Sequence, residues 1–261
     1  PFHSEKTPSF TVSPHREIFY CFGCHEGGDI IAFIAKAENC NQLEAAKSLI
    51  EKYGLTVPES LKPTGNQETT ESIDEKKQYF KIYEEVAEWA QQSLLENKTA
   101  SSYVKKRKIE PSTIRKFCIG YFPPRSIKKL LTHMHKKGFV AKDLMTAGIL
   151  TEGKSNIYSP FEDRILFPIK DHIGRFCGFG GRVFKKDDDR AKYYNSKENN
   201  NFTKGSILFG LDIAKEEIRK QGFTFLVEGY TDCIAMYQAG YPNTIATLGT
   251  SCTQEHMKIL N

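Results

Sequence analysis

At 261 residues, with 39% hydrophobic and 26% charged side chains, the chain is long enough to bury one large core or two modest ones. No stretch approaches the roughly 20 consecutive apolar residues of a membrane span, and the first residues hold no apolar segment of a signal peptide, so a cytoplasmic protein with no membrane partner is expected. The net charge of +5 hides a division: residues 1–60 carry −3, 61–100 carry −3, 101–222 carry +13 and 223–261 carry −2, and a basic middle of that size points to a polyanionic partner.

In chain order, strands are expected at 9–12 and 18–22, then helices at 29–37 and 42–53, the second with Asn41 as its cap and Gly54 as its end. Cys21-Phe-Gly-Cys24 places two thiols on a glycine turn, with His3 eighteen residues upstream of Cys21. The spacing fits a redox pair or one side of a tetrahedral zinc; three ligands are in sight where structural zinc takes four. The seven cysteines are otherwise scattered, which fits reduced thiols better than a disulfide framework. Phe10, Phe19, Tyr20 and Phe22 mix with Lys6 and Arg16 on what reads as one strand face. Single-stranded DNA suits that mixture, since bases stack on rings and phosphates meet cations; packing of a small core is the alternative for each ring. Residues 58–73 open on two prolines, a glycine and polar side chains, the composition of a flexible linker.

A long amphipathic helix follows from 73 to about 96, carrying Phe80, Tyr83, Ala87, Ala90 and Leu94 at three- and four-residue spacing. Shorter helices are expected at 103–107, from Pro111, and at 126–137. Past Leu150 the pattern turns to strands, 164–169 and 175–184, joined by a turn at 171–174. Gly178, Gly180, Gly181 and Gly205 lie among Arg164, Arg182, Lys192 and Lys204. Without a Cβ, backbone can approach a phosphate while the cations neutralise it, and tight hairpin packing is the competing explanation. Asp187, Asp188 and Asp189 read as a solvated turn. Segments 223–228, 230–239, 243–248 and 253–260 then alternate strand and helix, which predicts a parallel sheet with crossover helices. Glu228, closing its strand, emerges at the ligand-binding edge of such a sheet. Asp232 is either a second acidic group there or a helix cap.

The run from Pro1-Phe2-His3 to Phe10, with Phe19-Tyr20-Cys21-Phe22-Gly23-Cys24 and Gly27-Gly28-Asp29, resembles the zinc-binding domain of bacterial primases. The order Asp163-Arg164, Gly178-Phe179-Gly180-Gly181-Arg182, Lys192-Tyr193-Tyr194-Asn195 and Lys204-Gly205 is similar to the basic part of their polymerase domain. Glu228-Gly229-Tyr230-Thr231-Asp232 and Gly249-Thr250-Ser251 resemble the Toprim fold shared by primases and topoisomerases. The resemblance covers residues 1–56 and 76–261. It implies an α+β and α/β multidomain chain: a zinc-ribbon DNA-recognition domain (1–57), a flexible linker (58–73), a basic mixed α+β subdomain of an RNA polymerase domain (74–206) and a truncated, Rossmann-like Toprim subdomain (207–261).

The same resemblance implies a structural Zn2+ on His3, Cys21, Cys24 and a cysteine preceding Pro1, with Lys6 and Arg16 recognising DNA. It implies a nucleotide and template surface of Arg107, Arg164, Arg182, Lys192, Tyr193, Asn195 and Lys204; after the arginine matched by Arg107 the family has Gly-Leu where this chain has Lys108-Ile109. Glu228, helped by Asp232, is implied as the catalytic carboxylate, holding Mg2+ or Mn2+. The activity so implied is synthesis of short RNA primers from NTPs on a single-stranded DNA template, with the replicative helicase as partner through a C-terminal domain outside this chain. The Toprim Asp-x-Asp carboxylates fall beyond Asn261 on this reading, so the chain alone is expected to be inactive. The alternative is a non-catalytic zinc-ribbon/Toprim module that binds DNA or regulates a helicase. A phage-type primase joined to a helicase often uses four cysteines, against which His3 argues, and a type IA topoisomerase begins directly with Toprim.

Overall fold

The computed structural model describes residues 2–3, 8–38, 40, 42–56, 70–153, 156–185, 187–199, 201–249 and 251–260, with backbone alone at 51 and 70–74. Lys6, the Asn41 cap, Thr250 and most of the expected linker lie outside the described residues. The chain divides into two compact units, 1–69 and 70–260.

In the first unit β1 (Phe10–Ser13) and β2 (Ile18–Cys21) pair antiparallel, Phe10 opposite Cys21, and a two-residue β3 (Gly27–Gly28) joins the other edge of β2. Strand alternation sends Phe19 inward and Tyr20 outward. Phe19 meets Phe2, Phe10 and Phe33 at ring-centroid distances of 5.3, 5.7 and 5.4 Å, and each such pair adds about 0.5–1.5 kcal/mol beyond its burial. Phe33 belongs to α1 (Ile30–Ala37), which starts where Asp29 accepts the Ala32 N–H at 2.8 Å. Helix α2 (Gln42–Tyr53) packs on α1.

In the second unit α3 (Thr70–Glu96) begins three residues before the expected start, so residues 70–73, read from sequence as linker, are helical. Its buried stripe of Tyr79, Ile82, Tyr83, Val86, Ala90 and Leu94 lies across an antiparallel sheet. Helices α4 (Lys98–Lys106), α5 (Pro111–Lys116), α6 (Ile127–Lys136) and α7 (Ala141–Thr146) follow, with β4 (Gly120–Phe122) between α5 and α6. A short hairpin of β5 (Thr151–Glu152) and β6 (Ile157–Tyr158) precedes β7 (Arg164–Lys170), β8 (Phe176–Val183) and β9 (Tyr193–Asn195), and the main sheet runs β4-β7-β8-β9. Gly120 is where α3 crosses the sheet, since an added Cβ would lie 2.7 Å from the Ala90 Cβ. Pro168 is tolerated inside β7 because β4 pairs only with residues 164–166, so the missing N–H falls past the end of that ladder.

Helix α8 (Leu211–Gln221) is bounded by two left-handed glycines, Gly210 and Gly222, at φ 83 and 75. Then β10 (Phe225–Val227), α9 (Tyr230–Gln238), β11 (Thr244–Ala246) and α10 (Gln254–Leu260) alternate, and β10 and β11 pair parallel as the sequence pattern predicts. Phe209 bridges antiparallel to Ala246. Phe209, Tyr230 and Ala246 belong to the same buried cluster as the sheet residues Phe167 and Phe179, so the basic sheet and the parallel pair share one core. Among the described residues no helix is long and apolar enough to cross a membrane.

Candidate functional site

Cys21 closes β2 and the chain turns through Phe22-Gly23 to Cys24, with the Cys21 N–H on Glu26 O (2.8 Å) and the Phe22 N–H on Ser9 O (2.9 Å). This knuckle brings both thiols to His3: the Cys21 Sγ lies 3.7 Å from the His3 Nδ1, and one ligand atom from each of the three residues lies within 4.8 Å of the other two. Ligand atoms on a tetrahedral zinc are roughly 3.6–3.8 Å apart, so small side-chain shifts suffice to seat the ion. Gly23 is required by this packing, as an added Cβ would fall 2.6 Å from the His3 Nε2 and from the Ser9 Oγ. The Ser9 hydroxyl and the Cys24 backbone amide bring the buried Cys21 thiol down to about 7, against the opposing effect of burial. A thiol so placed is ready to bind metal as thiolate. Two sulfurs and an imidazole are a zinc donor set, and among the described residues no further donor joins them.

The rings around the knuckle separate by face. Phe10 and Phe19 fill the small core, whereas Tyr20 and Phe22 are exposed and meet edge to face at 5.0 Å. The Tyr20 hydroxyl lies 3.3 Å from the His25 Nδ1. Arg16 is exposed in the turn between β1 and β2. Lys6 is outside the described residues.

On the second unit the structure gathers some of the expected cations and sets others apart. Arg107 caps α4, its Nε donates to the Tyr103 hydroxyl at 3.2 Å, and its guanidinium lies over the Tyr103 ring. Arg182 is 6% exposed, is flanked by the rings of Tyr103 and Tyr193, and donates from Nη1 to the Tyr193 hydroxyl at 2.8 Å. Its Nε is buried without a partner, the kind of donor that an incoming anion satisfies. Arg107, Arg182 and Tyr193 therefore form one surface around Tyr103, a residue that sequence reading passed over. Burial holds the Tyr193 phenol above its usual range, and Thr231 of α9 bonds to it.

Arg164 is elsewhere. It is 3% exposed, and its guanidinium donates to the carbonyls of Pro160 (3.1 Å), Gly181 (3.2 Å) and Ala191 (2.9 Å). This corrects its expected place among phosphate-facing cations: Arg164 braces the sheet from inside. The glycines need a similar correction. Gly178, Gly180 and Gly181 are buried, and a Cβ on each would lie 3.0 Å from the Phe202 ring, 2.3 Å from the Tyr230 ring and 2.9 Å from the Arg164 Cδ, so side chains rather than a phosphate occupy the space.

Asn195 accepts from the Tyr230 hydroxyl (2.7 Å) and donates to Leu248 O (2.9 Å), tying the sheet to α9 and to the segment just after β11. Lys204 sits in a short 3-10 turn, its N–H on Glu198 and its carbonyl receiving the His256 Nε2 at 3.0 Å. Lys192 is exposed. Arg190 grips Asp188 through two bonds of 2.9 and 2.6 Å, which holds that carboxyl down at about 2, while Asp187 and Asp189 on either side are exposed.

Glu228 follows β10 directly, Gly229 caps α9, and Asp232 lies in the first turn of that helix; both carboxylates are exposed. Tyr230, between them, points into the core, stacked 5.2 Å from Phe167 and edge-on to Phe209 at 4.8 Å. Exposed carboxylate oxygens are the donors that magnesium takes, with water and substrate phosphate completing its shell, so Glu228 and Asp232 fit a hard divalent ion.

A cysteine knuckle, a basic antiparallel sheet and a strand-carboxylate-helix pair in this order define a zinc-finger protein of the Toprim class. Family models agree: the CHC2 zinc finger matches residues 1–65, the N-terminal domain of the DNA primase catalytic core residues 89–215, and the Toprim domain residues 223–261. The DNA primase of Clostridium acetobutylicum is 38% identical over 265 residues, covering 100% of this chain and 42% of that protein. The crystal structure of the zinc-binding and RNA polymerase domains of the Aquifex aeolicus primase aligns at TM-score 0.67 and 37% identity, over 100% of this chain and 61% of that one. The RNA polymerase domain of Mycobacterium tuberculosis DnaG, in complex with a double-stranded DNA oligomer bearing a 6-nucleotide overhang, aligns at TM-score 0.65 and 33% identity, over 70% of this chain and 58% of that one. The chain belongs to the bacterial DnaG-type DNA primase family. It spans about half the length of the curated relatives it matches.

Proposed function

We propose that the protein to which this chain belongs synthesises short RNA primers from nucleoside triphosphates on a single-stranded DNA template in the bacterial cytoplasm. The observation that carries this reading is the junction of α9 with the basic sheet: Glu228 and Asp232 flank Tyr230 and Thr231, which reach Gly180 and Tyr193 beside Arg182. Arg107, Arg182 and Lys192 serve phosphate binding, and Tyr193 orients Arg182. Glu228 accepts the proton of the attacking 3′-hydroxyl as pyrophosphate leaves. A divalent ion, magnesium by its oxygen donors, supplies charge neutralisation at the triphosphate when bound.

In the first unit His3, Cys21 and Cys24 would hold zinc, and Tyr20 and Phe22, with Arg16 and Lys6, are the stacking and phosphate contacts for the template. On this reading residues 1–57 recognise DNA, 58–69 link, 70–206 hold template and triphosphate, with 70–73 moved from linker to α3, and 207–261 carry the Toprim chemistry. A replicative helicase is the protein partner. The test is primer synthesis by the full-length parent carrying Glu228→Gln, with binding of single-stranded DNA measured in parallel. Synthesis should fall about 100-fold or more while DNA affinity holds. Primer yield at the wild-type level would sink the assignment.

A further inference from the structure

Helix α4 ends in a paired-bond motif: the Lys108 N–H donates to Lys105 O at 2.9 Å and the Ile109 N–H to Val104 O at 3.3 Å. This is the Schellman arrangement, whose left-handed position favours glycine. Here that position holds Lys108, at φ 59. A side chain disfavours this backbone region by about five- to thirtyfold in population, so neighbouring contacts add to the motif's own bonds in holding it. Two contacts act here: Ile109 packs against the buried core, and one amide reaches across from another helix. Gln238, the last residue of α9, donates from Nε2 to Lys108 O at 2.8 Å and accepts the Glu110 N–H on Oε1 at 3.0 Å. Its single carboxamide bonds residues 108 and 110 along one edge, as a neighbouring strand would.

Arg107 is the residue immediately before the strained position, and its own N–H caps α4 on Tyr103 O at 3.0 Å. If Lys108 leaves the left-handed region, the bond from Ile109 to Val104 is lost and the last turn of α4 opens, taking Arg107 off Tyr103. We propose that Gln238 is a positioning residue: its amide clamp holds Lys108 left-handed and so fixes the Arg107 guanidinium on the polyanion-binding surface, from the helix whose other end follows Glu228. This rests on the reading of Arg107 as a phosphate contact.

The experiment measures, on this chain, the affinity for a fluorescent single-stranded oligonucleotide by anisotropy, together with a thermal melt, for Arg107→Ala, Gln238→Ala, Lys108→Gly and the Gln238→Ala/Lys108→Gly pair. Arg107→Ala should weaken binding about three- to tenfold, and Gln238→Ala by a comparable factor. Glycine at 108 adopts the left-handed backbone unaided, so the paired variant should return to within about twofold of wild type. Loss of affinity with Gln238→Ala that Lys108→Gly fails to restore overturns the proposal, since Gln238 would then act through general stability. Unchanged binding in Gln238→Ala beside a loss in Arg107→Ala overturns it while leaving the reading of Arg107 intact. Unchanged binding in Arg107→Ala removes that reading and the proposal with it.

Discussion

A guanidinium with three carbonyls around it works inside the fold, and Arg164 shows how much a single cation can brace. Its bonds to Pro160, Gly181 and Ala191 span β7, β8 and the approach to β9. Arg164→Ala should therefore destabilise the second unit by about 2–4 kcal/mol, read from urea unfolding, because buried acceptors lose their donor. Arg164→Lys should recover less than half of that, as an ammonium lacks the planar fork; full recovery would argue that charge alone matters there. Asp188 offers a pH test. Its carboxyl is depressed by Arg190 to about 2, so the pair contributes stability that is whole above the free-carboxylate range near pH ~4 and fades as pH falls toward 2. Melting curves of Asp188→Asn should lack that part of the acid dependence, and identical curves for both proteins would refute the pairing. Sequence alone could not separate Arg164 from Arg182, since both sit beside glycine-rich strands; only three-dimensional packing shows which one faces Tyr193.

Elements were legible where the chain repeats a period over many residues. The stripe along α3 and the strand-helix alternation of α9 and β11 follow directly from spacing, because one face must be buried at every turn. Other elements escape such reading, β4, α7 and α8 among them. Strand β4 is three residues long and stops before Pro123, too short for alternation to register. Helix α7 is capped from within, Asp143 reaching back to the Val140 N–H at 2.7 Å, so no Ser, Thr, Asn or Asp announces it. Helix α8 begins at a left-handed glycine without a side-chain cap. The glycine-rich strand β8 was legible as special but ambiguous in purpose. Its packing role makes a clear prediction: Gly180→Ala, whose Cβ would strike a fully enclosed Tyr230 ring, should cost about 1–3 kcal/mol or more. A thermal melt matching wild type would show that α9 can retreat from the sheet.

For the whole molecule, the zinc knuckle and the basic sheet belong to different compact units. Among the described residues the first unit gathers four phenylalanine rings with the buried Ala35, Ala45 and Leu49, a small store of buried area to which a bound metal would add. Calorimetry of this chain with and without a chelator should show the transition of residues 1–69 lost and that of residues 70–260 retained, and Cys24→Ser should do the same while zinc content by mass spectrometry falls to background. Both transitions surviving chelation would count against a structural ion. The cysteine spacing made this centre readable; the surface around Tyr103 was not, because it joins α4 to β8 and β9, which lie far along the chain from it.

Asn195 has a bearing on inheritance as well as on stability. By receiving the Tyr230 hydroxyl and giving its amide to Leu248, one side chain of the basic sheet is committed to both the start of α9 and the segment just after β11. Recombination between relatives that exchanged residues 223–260 as a cassette would sever a partnership encoded some thirty residues upstream of the break. Gly180 and Asn195 must travel with Tyr230, so this portion of the chain is exchanged together with its sheet or not at all.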